Sequence, residues 1–137
     1  ISVPVMDGPI GSASGLKMVY AALTKGTAAL YASTLMTAKS LDLYEDLIGE
    51  LEQSQAGTLA AMNSVNTVSS KAFRWIGEMD EIAATFGDAG TTSKIHEGAS
   101  ETFQQIAVSS IGHERVDSID KSRSLEDSIA AMLKRAD

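Results

Sequence analysis

The residues with the most chemical content lie near the start of the chain. Gly11-Ser12-Ala13-Ser14-Gly15-Leu16-Lys17 puts small residues where a helix opens and a lysine shortly after. A helix start carries unpaired N–H groups and a partial positive charge. A carboxylate or phosphate can sit there, and small side chains let it approach the backbone. A lysine at this end is an odd choice for stability, because it faces the positive end of the dipole. The same field, with burial, eases loss of a proton and suits a lysine to proton transfer. At about 100° per residue, Lys17, Tyr20, Thr24 and Tyr31 share one narrow stripe. Such a stripe on a buried helix suggests a cleft wall. The plain alternative is a solvated Lys17 and tyrosines that bridge helices through their hydroxyls.

Other chemistries find little support. Cysteine is absent, so there is no thiolate nucleophile, thiolate metal site or disulfide framework. That fits a reducing compartment, and a cytoplasmic location is expected. His96 and His113 are not at metal-ligand spacing; both read as partly exposed helix residues, and no metal site is expected. Net charge is −7, which argues against nucleic acid and anionic lipid as partners. Met18–Met36 is apolar, but Lys25 interrupts it, so it reads as a helix buried in protein and no membrane partner is expected. No G-x-G-x-x-G follows a strand, and no P-loop or nucleophile elbow appears.

The elements that must position Lys17 are helical. Ile1–Met6 reads as a short strand, followed by a turn cluster of Asp7, Gly8, Pro9 and Gly11. No proline follows Pro9, which permits long helices. The first helix is expected to be capped by Ser12 or Ser14 and to run to about Ser40. It is apolar nearly all round, as a central helix should be. Asp42 and Glu45 resemble a cap for a helix that Gly57 breaks. Leu59, Met62 and Val65 begin another, with a kink near Thr67–Ser70 before Phe73–Phe86. Gly87–Gly90 is a stop. Ile95, Ala99, Phe103, Ile106 and Ile111 mark a helix ended by Gly112. Ser124 and Asp127 cap a last one that buries Leu125, Ile129, Met132 and Leu133. The expected fold is all-α, with several helices around one long central helix. Lys25, about 80° from Lys17, should meet a charge partner or solvent, and Trp75 should lie in the core or at an interface. The six methionines read as core filler.

Gly11-x-Ala13-x-x-x-Lys17 at the start of a very long helix resembles the beta-hydroxyacid dehydrogenases, which include 3-hydroxyisobutyrate and 6-phosphogluconate dehydrogenases. Gly11–Gly26, Lys71-Ala72-Phe73-Arg74-Trp75-Ile76-x-Glu78-Met79 and Phe86-x-x-Ala89-Gly90 look like the C-terminal domains of 6-phosphogluconate dehydrogenase-like oxidoreductases. The resemblance covers roughly Val5–Val108. It implies a two-domain enzyme. A Rossmann domain would hold NAD or NADP, and the helical domain would close the active site and pair two subunits as a homodimer. Residues 1–10 would then be a connector or the tail of the Rossmann domain, and 11–137 the helical domain. Lys17 matches the family's acid/base. Gly11, Ser12, Ala13, Ser14, Tyr20 and Thr24 would face substrate or cofactor. The departures are Ala13 for the family's second glycine, Tyr20 and Ala21 for its two asparagines, and no clear later lysine, whose place falls near Glu78. Tyr20 differs from asparagine in size and hydrogen-bonding capacity. Alone, the chain is expected to be inactive and to bind no cofactor. Two alternatives stand beside this one: a non-enzymatic helical dimerisation module, and a helical domain that binds a small anion at Ser12–Lys17.

Overall fold

The computed structural model describes residues 7–137. The strand expected at Ile1–Met6 lies outside them, as does most of the connector. Six α-helices and one 3-10 segment follow the opening turn: α1 (Ser12–Ser40), α2 (Tyr44–Ser54), α3 (Ala56–Met62), the 3-10 segment Asn63–Ser70, α4 (Ala72–Asp88), α5 (Lys94–Ala107) and α6 (Leu125–Leu133). No strand occurs among the described residues; an isolated antiparallel bridge joins Ser109 to Arg135. No described helix is long and apolar enough to cross a membrane.

At 1.5 Å per residue α1 is about 43 Å long, and it touches every other element. Its buried face is mostly alanine (Ala22, Ala29, Ala32, Ala38), with Leu35 and Met36. Such small side chains bring α4 and α5 close to the α1 axis. Those two helices form an antiparallel hairpin turned at Gly90, which has φ 90°. Trp75 packs edge-on against Phe103 at 5.3 Å, and Met79, Ile82, Phe103 and Ile106 are fully buried between the hairpin and the rest. On the far half of α1, α6 adds Ile129 and Met132 to the core. Lys39 pairs with Glu126 at 2.8 Å.

Several helix boundaries differ from the sequence reading. Neither Ser12 nor Ser14 caps α1. Gly11 is its N-cap, at φ 96°, and no side chain accepts there. Asp42 does not cap α2; it sits at φ 57° and Leu43 is the N-cap. The break after α2 falls at Gln55 rather than Gly57. The expected kink is a full 3-10 segment. Its threonine and serine hydroxyls bond to backbone carbonyls one turn back, a competition that loosens α-helical pairing. α5 stops at Ala107, short of Gly112. At Gly112 a Cβ would lie 2.0 Å from the Ala107 carbonyl oxygen, so glycine is required there by close backbone approach rather than by helix ending. Ser124 does cap α6, accepting from the Asp127 N–H at 3.1 Å.

Candidate functional site

The Gly11–Lys17 stretch is the open end of α1. The turn before it closes with Ser12 N–H donating to Pro9 O (3.1 Å), and the first helical bond runs from Gly15 N–H to Gly11 O (2.8 Å). Gly11 can hold its positive φ because it has no Cβ. Among the described residues nothing pairs the N–H groups of Ala13 and Ser14. Among the described residues these donors have no acceptor, as the ends of helices leave them. The first buried residue of α1 is Ala22 and the first to pack against the core is Met18, so the first turn stands clear of the core.

On this arm Lys17, Tyr20 and Thr24 are exposed together, while Tyr31 is half-buried and packs against the core. Lys17 forms no ion pair among the described residues. The Thr24 hydroxyl is used locally, donating to Ala21 O (3.2 Å) and approaching Tyr20 O (3.4 Å). Ala13 and Ser14 are exposed and Ser12 half-exposed. The structure thus gathers Gly11–Ser14, Lys17 and Tyr20 at one end of one helix. Thr24 lies farther along the same face, and Tyr31 belongs to the packed interior.

Lys25 has the charge partner expected of it. It pairs with Glu78 of α4. Its ammonium lies 5.8 Å from the Trp75 ring centre, and that of Lys71 lies 5.7 Å from the same ring. Trp75 is half-buried on the core, with two cations near its ring.

Beside this arm runs an open groove of about 680 Å³ between α1 and α5. Ala22, Gly26, Ala29, Ala99 and Gly98 give it a shallow lining, and Leu23, Leu30 and Ile95 stand at its edges. Those three are 70%, 64% and 68% exposed.

Residues 38–106, half of the chain, match the family described as "Domain of unknown function (DUF1932)". The chain belongs to this family. The DUF1932 domain is associated with the C-terminal helical part of 6-phosphogluconate dehydrogenase-like NAD-binding proteins. The matched segment runs from the last turn of α1 to the end of α5. It includes the Lys71–Met79 and Phe86–Gly90 motifs and stops short of Gly11–Lys17. Comparison with curated proteins and with solved structures gives no match.

Two polar features of this DUF1932 domain were not found by sequence reasoning. His96 is buried, not partly exposed, while His113 is exposed and lies outside the helices. The His96 ring packs 4.0 Å from that of Phe86, and its Nδ1 has no hydrogen-bond partner. Burial pushes its pKa below the usual imidazole value. The signal was spacing: His96, Ala99, Phe103 and Ile106 fall three, four and three residues apart, the inner face of α5. Ile95, one of the residues that mark this helix in the sequence, points outward.

The second feature is a buried clamp in the polar stretch after α5. Glu114, 5% exposed, receives Arg123 Nη2 at 2.6 Å and Nη1 at 3.1 Å. The Ser69 hydroxyl donates to it at 2.8 Å and the Asp120 N–H at 3.3 Å. Arg123 Nε donates to Ser128 Oγ (2.9 Å), which donates to Asn66 Oδ1 (2.7 Å). Burial alone would raise the Glu114 pKa; Arg123, Ser69 and the Asp120 N–H outweigh it and hold the carboxyl below its usual range. No sequence pattern links residues so far apart.

Proposed function

We propose that this chain is the active-site-closing helical domain of an NAD(P)-dependent oxidoreductase, with Lys17 as its proton donor and acceptor, and that it also pairs two subunits. The observation that carries this reading is the family itself, a domain associated with NAD-binding dehydrogenase-like proteins. The form of α1 supports it. Its first turn stands off the core, and the helix presents Lys17, Tyr20 and two N–H groups with no acceptor among the described residues on an open face that a second domain can cover. The described residues contain no strand–turn–helix to hold a dinucleotide, so the cofactor would be held by another domain.

Bound there, the nicotinamide would supply hydride exchange with a carbon that bears a hydroxyl in one direction of the reaction and is the carbonyl carbon in the other. Lys17 has the matching task. In oxidation its neutral amine takes the hydroxyl proton as the C–H hydride leaves; in reduction its ammonium returns that proton to the carbonyl oxygen. The N–H groups of Ala13 and Ser14 can donate to a carboxylate of the substrate. Tyr20, one helical turn beyond Lys17, offers a hydroxyl where the family has an amide. Covering the arm would remove water from Lys17 and strengthen its interaction with a developing oxyanion.

The test is a cofactor titration by fluorescence and calorimetry. The longer protein carrying a nucleotide-binding domain should bind NADH or NADPH, and the 137-residue chain should bind neither. Tight binding by the chain alone would overturn the division of labour. A second reading, a small-anion module, is favoured by the free N–H groups beside Lys17. Inorganic phosphate binding to the chain, abolished by Lys17→Met, would support it instead.

A further inference from the structure

The tip of the α4–α5 hairpin is held in place by one side chain. From Ala84 to Gly98 the sole buried residue is His96, 6% exposed. Phe86 is half-buried, packs against the core and supports the His96 ring, the two ring planes lying 56° apart. Every other residue of the tip is exposed or half-exposed. Firm anchoring resumes at Ala99 and Ser100 and continues through Phe103 and Ile106. The backbone lets the tip move separately from that anchored part. Gly90 makes the turn at φ 90°. Gly98, of a type that weakens a helix interior, lies between the first turn of α5 and the anchored remainder. No side chain caps the start of α5.

We propose that His96 is a pH-released latch, which holds the hairpin tip against α1 while its imidazole is neutral and frees it when the ring gains a proton. The device belongs to the helical domain itself and does not depend on the role of Lys17. A neutral ring can keep its sealed, unpartnered Nδ1 as a bare lone pair. Protonation puts an N–H there, and a buried donor with no acceptor is costly. Nothing around the ring offsets the added charge. The neighbours that line the same groove are Val19, Ala22 and Leu23 from α1 and Phe86 from α4, none of them titratable. Of the α1 lysines, Lys25 is turned to Glu78 and Lys17 does not line the groove. On α5 itself Lys94 and Glu97 pair with each other at 3.3 Å, and Glu97 also accepts from Ser93 at 2.8 Å. Asp88 and Glu101, the next charges along the hairpin, are exposed. Burial lowers the His96 pKa, so an opened tip takes up the proton more readily than a closed one. His96 therefore contributes fully to closure above the ordinary value of 6.5, and the contribution is lost as pH falls below it, by up to about tenfold per pH unit. His96, Phe86, Ile95 and Gly98 all line the α1–α5 groove, so the groove keeps its present walls only while His96 is neutral.

The test is amide hydrogen exchange of the 137-residue chain, followed by NMR at low concentrations of urea and corrected for the intrinsic effect of pH. Exchange at residues 96–99 should be nearly independent of urea, the mark of a local opening. Protection there should fall about tenfold between about pH 7.5 and about pH 5. At Met79–Ala83 and Phe103–Ile106 exchange should instead quicken with urea, as global unfolding does. His96→Leu should abolish the acid response of residues 96–99, and His113→Gln should leave it intact. His96→Met takes the place of His96→Leu if the latter does not fold. Tip amides that share the protection and the urea dependence of the core overturn the latch, because His96 then titrates only with the whole domain. A local opening whose acid response survives the His96 variant, or vanishes in His113→Gln, overturns His96 as the group that releases it.

Discussion

Replacing Arg123 with methionine should be among the most damaging single changes in the chain. The substitution keeps much of the side-chain volume and removes the guanidinium. It leaves the Glu114 carboxylate, with a side chain only 6% exposed, facing Ser69 and one N–H as its remaining partners. Breaking a buried pair in this way costs about 3–5 kcal/mol. Because the Arg123 side chain is itself 13% exposed and two donors to Glu114 remain, the lower end applies, about 3 kcal/mol. For a domain of this size that corresponds to roughly 10 °C in melting temperature. The assay is urea unfolding followed by circular dichroism, comparing Arg123→Met, Glu114→Leu and the double variant. The double variant should be more stable than Arg123→Met, because no charge is then stranded. The difference between wild type and Arg123→Met should also narrow with acid. The folded-state pKa of Glu114 is depressed, so its contribution is present above the ordinary value of 4.5 and is lost as pH falls through the folded value. A cost below about 1 kcal/mol for Arg123→Met, or strict additivity in the cycle, would show that the clamp does not hold the 3-10 segment to α6 as argued.

Other outcomes follow from the same structure. His96 is buried with its pKa lowered, so the unfolded chain binds a proton that the folded one refuses. Stability should therefore fall as pH drops below about 6.5, and His96→Leu should flatten that part of the melting profile. Gly112→Ala should destabilise by about 1–3 kcal/mol in urea melts, since its Cβ would strike the Ala107 carbonyl. Gly11→Ala should fray the start of α1, seen as faster amide exchange at residues 15–17, because Gly11 holds φ 96°. Slow exchange there in the variant would contradict the strain argument.

Much of the fold was legible because the chain writes its helices in apolar spacing and breaks them with few signals. The absence of proline after Pro9, the Gly87–Gly90 stop and the Ser124 cap each fixed an element correctly. The failures were local. Asp42 and Ser12 have cap chemistry, but the chain enters α1 and α2 through other residues with special backbone angles or none. Gly112 looked like a stop and is a packing requirement. At the candidate site, the residues gathered around Lys17 were readable because they share one helix end. The Glu114–Arg123 clamp was not, since it joins loops and helices through contacts that no local period encodes. The exposure of Leu16, Val19, Leu23 and Leu30 on α1 was also hidden, because a helix that is apolar nearly all round reads as core on every face.

The central claim is that Lys17 moves the proton in a nicotinamide-dependent reaction. The direct measurement is steady-state kinetics of the proposed two-domain protein and its Lys17→Met variant, with NADH and NADPH and a panel of β-hydroxy acids and the corresponding carbonyl compounds. Lys17 is exposed and unpaired among the described residues, so the variant should fold normally. The account predicts that kcat falls about 10²–10⁴-fold while cofactor affinity changes little, and that the pH dependence of kcat loses one limb. Turnover that survives Lys17→Met, or a longer protein that binds neither NADH nor NADPH, would contradict it.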